Sequence, residues 1–210
     1  MLRFTLPDRK HAHVVFIHGA NASPKSFNYI IENSNITNCT KVRYFSNDGF
    51  YNNLEKIKNQ LIHIDEDEEV FIIAHSLGGI YALHLSQYFN IIGVVSIATP
   101  FGGSLAADWA KFFISRRLYN EIGIASSPIT RGHKIPIKCP WTQVVTTEGA
   151  IPVHIVKNDG VCTISSMKFR KDMQHIEIPY NHYEIMNSPE VVNTVNKKLK
   201  SNFIYFGGNQ

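Results

Sequence analysis

The chain has 210 residues, of which 44% are hydrophobic, 11% aromatic and only 18% charged, and its formal net charge is +4. This length suits one domain, and the apolar content supplies a packed core and excludes a largely disordered chain. The charged fraction lies below the roughly 25% of an average soluble domain, which weighs against a nucleic-acid binder with its dense basic face. The charge is uneven, with net −1 over residues 1–100, +3 over 101–150 and +2 over 151–210.

Short apolar runs alternate with longer helical patterns, the signature of a mostly parallel sheet with crossover helices. Val14 to Ile17 is the first strand, stopped by His18-Gly19. Lys41 to Phe45 is a second candidate, because Val42 and Tyr44 alternate with polar or charged neighbours. Asn52 to Ile64 places Leu54, Ile57, Leu61 and Ile64 at helical spacing. The acidic run Asp65 to Glu69 reads as a solvated loop, and Val70 to Ala74 is apolar on both faces, as a central strand requires. A helix follows over Gly78 to Phe89, then a buried strand over Ile91 to Ala98, ended by Thr99-Pro100 and Gly102-Gly103. Residues 104–122 again show apolar residues at helical intervals, and Ala125 to Pro140, with three prolines, reads as irregular. Strands are predicted over Thr142 to Thr146, Pro152 to Val156 and His175 to Ile178, and a last helix over Glu190 to Lys200.

Three cysteines, Cys39, Cys139 and Cys162, form no CxxC pair, so neither a disulfide framework nor a zinc site is indicated. No signal-like segment stands at the N-terminus, and no stretch approaches the ~18 apolar residues of a membrane span. A cytoplasmic location is the expectation. His11 and His13 share one strand face, but two ligands without a carboxylate make a weak metal site, and no metal is expected.

The segment that carries chemistry is Val70-Phe71-Ile72-Ile73-Ala74-His75-Ser76-Leu77-Gly78-Gly79, a buried strand joined to a helix through a small-x-Ser-x-Gly turn. Such a turn strains the serine backbone, and the residues two before and two after must be small or they collide; here they are Ala74 and Gly78. The N–H groups of the following helix then face the serine and favour a developing oxyanion. Upstream, His18-Gly19-Ala20-Asn21 follows a strand, as the loop that supplies a second oxyanion donor does. Downstream, Asp159 lies in an Asn-Asp-Gly turn after a strand, and His182 stands between the last strand and the last helix.

These residues and their order, Ser76, Asp159, His182, resemble the α/β-hydrolase superfamily, and within it the small single-domain lipases and esterases whose elbow often reads Ala-His-Ser-x-Gly-Gly. Thr99-Pro100-Phe101-Gly102-Gly103-Ser104 looks like the Thr-Pro-x-x-Gly-Ser segment of lipase-like members. The resemblance spans about residues 13–105 and 150–195 and implies a central, mostly parallel sheet flanked by helices in a compact single domain, 1–210, with a short insert after the strand ending at Ala98. It also implies hydrolysis of small-molecule or lipid esters through an acyl-enzyme on Ser76, with His182 as base, Asp159 as its acid partner, and the N–H groups of Ala20 and Leu77 around the oxyanion. No cofactor is implied.

Glu148, after the preceding strand candidate, competes with Asp159 for the acid role; the Asp-Gly turn and the shorter path to His182 favour Asp159. Among the other histidines, His18 is expected to order its loop by hydrogen bonding, His75 to support the turn, and His154 and His175 to be packing or surface residues. Asn21, Phe101, Trp109 and Phe112 are candidates for lining the substrate pocket. The stripe Trp109, Phe112, Phe113 reads first as the inner face of a crossover helix. Its sharper reading makes 104–140 a small lid, with Arg116, Arg117, Arg131, Lys134 and Lys138 facing solvent or an anionic interface. The same residues would also serve an acyltransferase, a thioesterase or amidase, or a non-catalytic binding protein on this fold.

Overall fold

The computed structural model describes residues 12–34, 36–103, 123–149 and 157–205. The predicted helix over 104–122, the strand Pro152 to Val156, and with them Trp109, Phe112, Arg116, Arg117, His11 and His154, lie outside the described residues.

The apolar runs His13–Ile17, Val70–His75, Ile91–Ile97 and Trp141–Thr146 form central strands buried on both faces, whereas the edge segments Cys39–Lys41 and Gln174–Ile178 stay partly exposed. Strands β1 (His13–Ile17), β2 (Cys39–Lys41), β3 (Val70–His75), β4 (Ile91–Ile97), β5 (Trp141–Thr146) and β6 (Gln174–Ile178) make one sheet in the order β2-β1-β3-β4-β5-β6. Every neighbouring pair is parallel. Parity then sorts the side chains. Val15, Ile17, Ile72 and Ala74 join one core layer with Leu54, Ile57, Leu77, Ile80 and Ile129, whereas Val14, Phe16, Phe71 and Ile73 join the other with Phe27, Ile30, Val191, Val195 and Leu199. Helices α2 (Phe50–Gln60), α3 (Leu77–Leu85) and α4 (Ser127–Gly132) therefore cover one face, and α1 (Asn28–Glu32) and α6 (Pro189–Tyr205) the other. A further short helix, α5 (Ile164–Met167), follows the Asp159 turn.

Two expectations need correcting. The second strand pairs over Cys39–Lys41, not Lys41 to Phe45, because β1 ends at Ile17 and leaves residues beyond Val42 without a strand to bond. Residues 125–140 are not wholly irregular: Pro128 sits in the first turn of α4, where its missing N–H costs nothing and its fixed φ starts the helix. The described part of the predicted lid, 123–140, is packed structure, with Ile129 and Ile135 buried and the Arg170 guanidinium donating to the carbonyls of Gly132 and Ile135 at 2.9 Å each. Arg131, Lys134 and Lys138 on it are exposed.

The chain passes from β1 to β2 on one side and then crosses to β3 on the other, so the order of strands reverses between β1 and β3. Crossovers leaving in opposite directions open a crevice at the carboxyl ends of those two strands, the usual place for a ligand in an open parallel sheet. The loop His18–Asn21 and the residue Ser76 occupy those ends.

Candidate active site

Ser76 connects the last residue of β3 to the first of α3 with φ 52° and ψ −124°, a conformation that L-residues seldom adopt. The strain persists because the surroundings are tight. A Cβ on Gly78 would stand 2.1 Å from the carbonyl oxygen of Ile17, and one on Gly79 would stand 2.1 Å from Thr99 Oγ1, so glycine at both positions lets α3 dock against β1 and the turn after β4.

Across the crevice, the Ser76 hydroxyl lies 3.0 Å from His182 Nε2, and His182 Nδ1 lies 2.8 Å from Asp159 Oδ2. An ionised carboxylate can only accept, so the Nδ1–H donates to Asp159 and Nε2 is left to accept from Ser76. His182 is 2% exposed and Asp159 fully buried, which removes water as a competitor for these bonds.

Asp159 is heavily served by donors. Thr146 Oγ1, from the end of β5, donates to Oδ2 beside the imidazole, and the backbone N–H groups of Val161 and Cys162 donate to Oδ1 at 3.0 and 2.6 Å. Burial works against its charge, yet His182, Thr146 and Cys162 together hold the carboxyl below the usual carboxylate range. The main chain joins in, with the His182 N–H donating to the Asp159 carbonyl at 3.0 Å. Gly149 lies against this turn, where a Cβ would come 2.1 Å from the Asp159 carbonyl carbon. Glu148, the competing acid, is exposed.

His75 supports the pair from below. Its Nε2–H donates to the His182 carbonyl at 2.9 Å, and the two rings stand 4.9 Å apart. Burial first, and then the neighbouring His182, lower its pKa from 6.5 to about 3, so the ring is neutral in ordinary buffers. Asp159, Cys162 and His182 also offer ligand atoms within 4.8 Å of one another. The carboxylate and both imidazole nitrogens already have partners, however, and burial pushes the Cys162 thiol up, which keeps it in the poorly ligating neutral form.

The comparisons with known proteins agree on architecture. A family model described as an uncharacterised protein family (UPF0227) matches residues 13–100. No curated protein matches the chain. Among solved structures, a mature lipase of Bacillus licheniformis superposes with a TM-score of 0.73 at 16% identity, covering 92% of this chain and 94% of that one. A metagenomic carboxyl esterase gives 0.64 at 13% identity over 95% and 77% of the two chains. A haloalkane dehalogenase loop variant from Bradyrhizobium elkanii gives 0.66 at 12% identity over 94% and 92%. The chain has the α/β-hydrolase fold.

Within the α/β-hydrolase fold, the loop after β1 lies beside the serine: a Cβ on Gly19 would stand 3.0 Å from Ser76 Cβ and 3.1 Å from His75 Nδ1. His18 Nδ1–H donates to the Gly19 carbonyl at 2.8 Å, which tightens the loop on itself. Asn21 is exposed, with φ 52°. Phe101, a candidate for lining the substrate pocket, is 1% exposed and packs edge-on against Trp141 in the core. The turn that carries it is fixed by a buried side-chain relay in which Trp141 Nε1 donates to Ser96 Oγ, Ser96 to Gln143, and Gln143 Nε2 to the Thr99 carbonyl.

Sequence reasoning passed over Thr146, Gly149, Tyr44 and Ser46. For Thr146 the usable signal is a hydroxyl at the carboxyl end of a buried strand, two strands from the one that leads into Ser76. The others carry no signal short of the tertiary contacts themselves.

Proposed function

We propose that the protein is a serine hydrolase of carboxylic esters, with Ser76 as nucleophile, His182 as base and Asp159 as the acid that orients it. The observation that carries this reading is the hydrogen-bonded chain from Ser76 Oγ through His182 to buried Asp159, with the serine on a strained strand-to-helix turn.

Ser76 Oγ attacks the ester carbonyl carbon as its proton passes to His182 Nε2. The imidazolium is stabilised by Asp159, which keeps its charge throughout. The carbonyl oxygen becomes an oxyanion held by the N–H groups of Leu77, at the amino end of α3, and Ala20, each worth about 3 kcal/mol by the measure of comparable donors. Collapse expels the alkoxide, which takes the proton from His182 and leaves acyl-Ser76. Water then attacks the acyl carbon and gives its proton to His182, and collapse breaks the bond to Ser76 Oγ, which takes that proton back as the acid leaves.

Lipase and carboxyl esterase among the structural neighbours favour esters as the substrate class. No helix among the described residues is long and apolar enough to span a bilayer. The test is a panel of p-nitrophenyl esters of graded acyl length, with Ser76→Ala and a fluorophosphonate probe as controls. Turnover and covalent labelling are expected of the native protein, and both are expected to fall to background in Ser76→Ala. Undiminished turnover in the variant would end the assignment.

A further inference from the structure

The chain leaves the sheet beyond Val42, and its side chains from Lys41 to Ser46 alternate strictly. Val42, Tyr44 and Ser46 are buried, whereas Lys41, Arg43 and Phe45 are exposed. The two buried polar side chains both bond to the backbone of the loop after β1. The Tyr44 hydroxyl donates to the His18 carbonyl at 2.6 Å, and the Ser46 hydroxyl accepts from the Asn21 N–H at 2.9 Å. These two bonds bracket Gly19-Ala20, the stretch that lies against Ser76.

The anchors are themselves immobilised. The Tyr44 ring stacks on the His18 ring at 4.2 Å with an interplanar angle of 3°, and stands edge-on to Tyr81 of α3 at 4.9 Å. Buried Asn53 of α2 donates to the Phe45 carbonyl at 2.8 Å, and the Gln60 amide both accepts from Arg43 N–H and donates to its carbonyl, each at 2.8 Å. The His18 carbonyl that Tyr44 holds also faces Gly78, where a Cβ would stand 2.8 Å from it. A rigid route thus runs from α2 through residues 42–46 to the loop beside the nucleophile.

We propose that Tyr44 and Ser46 are positioning residues that hold the His18–Asn21 loop so that the Ala20 N–H points at the developing oxyanion. The proposal rests on the hydrolase reading above. A loop with a glycine at its centre has many conformations of similar energy, and an oxyanion donor works only when it is already aimed before the charge forms. Two bonds at the flanks of Gly19-Ala20 supply that aim without entering the substrate space.

The experiment compares Tyr44→Phe, Ser46→Ala and Ser46→Thr with the native enzyme. Removal of either hydroxyl is expected to lower kcat by about 10- to 100-fold with KM changed less than about 2-fold, the size of loss that a small misplacement of a reacting group produces. A boronic acid, whose tetrahedral adduct on Ser76 uses the same donors, is expected to weaken by the same factor as kcat/KM, and the pH–rate profile is expected to keep its shape because the base is untouched. Ser46→Thr, which restores the acceptor, is expected to recover most of the loss. Should Tyr44→Phe lower the thermal midpoint substantially, Ser46→Ala, which deletes one oxygen, decides. Folded variants with native kcat and native boronate affinity would overturn the proposal while fluorophosphonate labelling of Ser76 leaves the hydrolase reading standing. Failure of the native protein to label or turn over would overturn both.

Discussion

Around Ser76, geometry is enforced by backbone sterics at glycines set a fixed distance after the serine, whereas around Asp159 and His182 it is held by hydrogen bonds to a buried charge. At the first end, glycines at 78 and 79 allow approaches that a methyl group would forbid, and the serine backbone is strained as a result. At the second end, Asp159 is unstrained but surrounded by donors from Thr146, Val161, Cys162 and His182. A nucleophile must project from a turn too sharp for ordinary packing, and sterics make that shape. A buried charge must instead be compensated, and only donors do that. His75 ties the two ends, since it precedes the serine and bonds the His182 carbonyl.

The contrast breaks most visibly at Asp159. Asp159→Asn removes the charge while keeping the shape, and kcat for a p-nitrophenyl ester is expected to fall about 10³- to 10⁴-fold because the amide presents a donor to Nδ1 and selects the wrong imidazole tautomer. Circular dichroism matching the native protein would show that the loss is chemical. A fall of less than about 10-fold would return the acid role to another carboxylate, Glu148 first.

Next in size is the pH dependence that His75 imposes on stability. Its folded pKa of about 3 lies below the ordinary 6.5, so the unfolded chain binds the extra proton. The stability it contributes is therefore complete above about pH 6.5 and is lost as pH falls toward 3. At pH 5 the loss is about 2 kcal/mol relative to pH 7. Urea unfolding between pH 7 and pH 4.5 is expected to show a shallower decline in His75→Gln than in the native protein. Parallel declines would mean that the two ends are not linked through a buried neutral ring.

The smallest effect sharpens the steric end. Glycine normally destabilises a chain relative to alanine, but at φ 52°, ψ −124° the order is expected to invert, with Ser76→Gly more stable than Ser76→Ala by about 1 kcal/mol. Both variants lack the hydroxyl that the proposed reaction needs, so thermal unfolding alone reads the strain. Equal or reversed midpoints would place the constraint outside the serine backbone.

Much of this architecture was legible in the residues. Val14 to Ile17, Val70 to Ala74 and Ile91 to Ala98 read as buried parallel strands because a strand covered on both faces has no polar face to interrupt its apolar run. The elbow was legible because its steric demand falls on positions fixed relative to the serine. Asp159 was separated from Glu148 by local turn chemistry, and the structure puts Asp159 within bonding distance of His182 and leaves Glu148 exposed. The error at Lys41 to Phe45 has an informative cause: the alternation was real, but its inward residues face a loop and not a strand. Pattern reports which side is buried and never what buries it.

The sequence by itself therefore determined the parallel sheet and the strained serine turn, since both follow from periodicity and from small residues at fixed spacing from the serine. Only the tertiary structure decided the company that Asp159 keeps, the turn of Phe101 into the core, and the hold of Tyr44 and Ser46 on the loop beside Ser76. These depend on hydrogen bonds and packing between segments tens of residues apart, whose meeting is set by the order of strands in the sheet and not by any local preference.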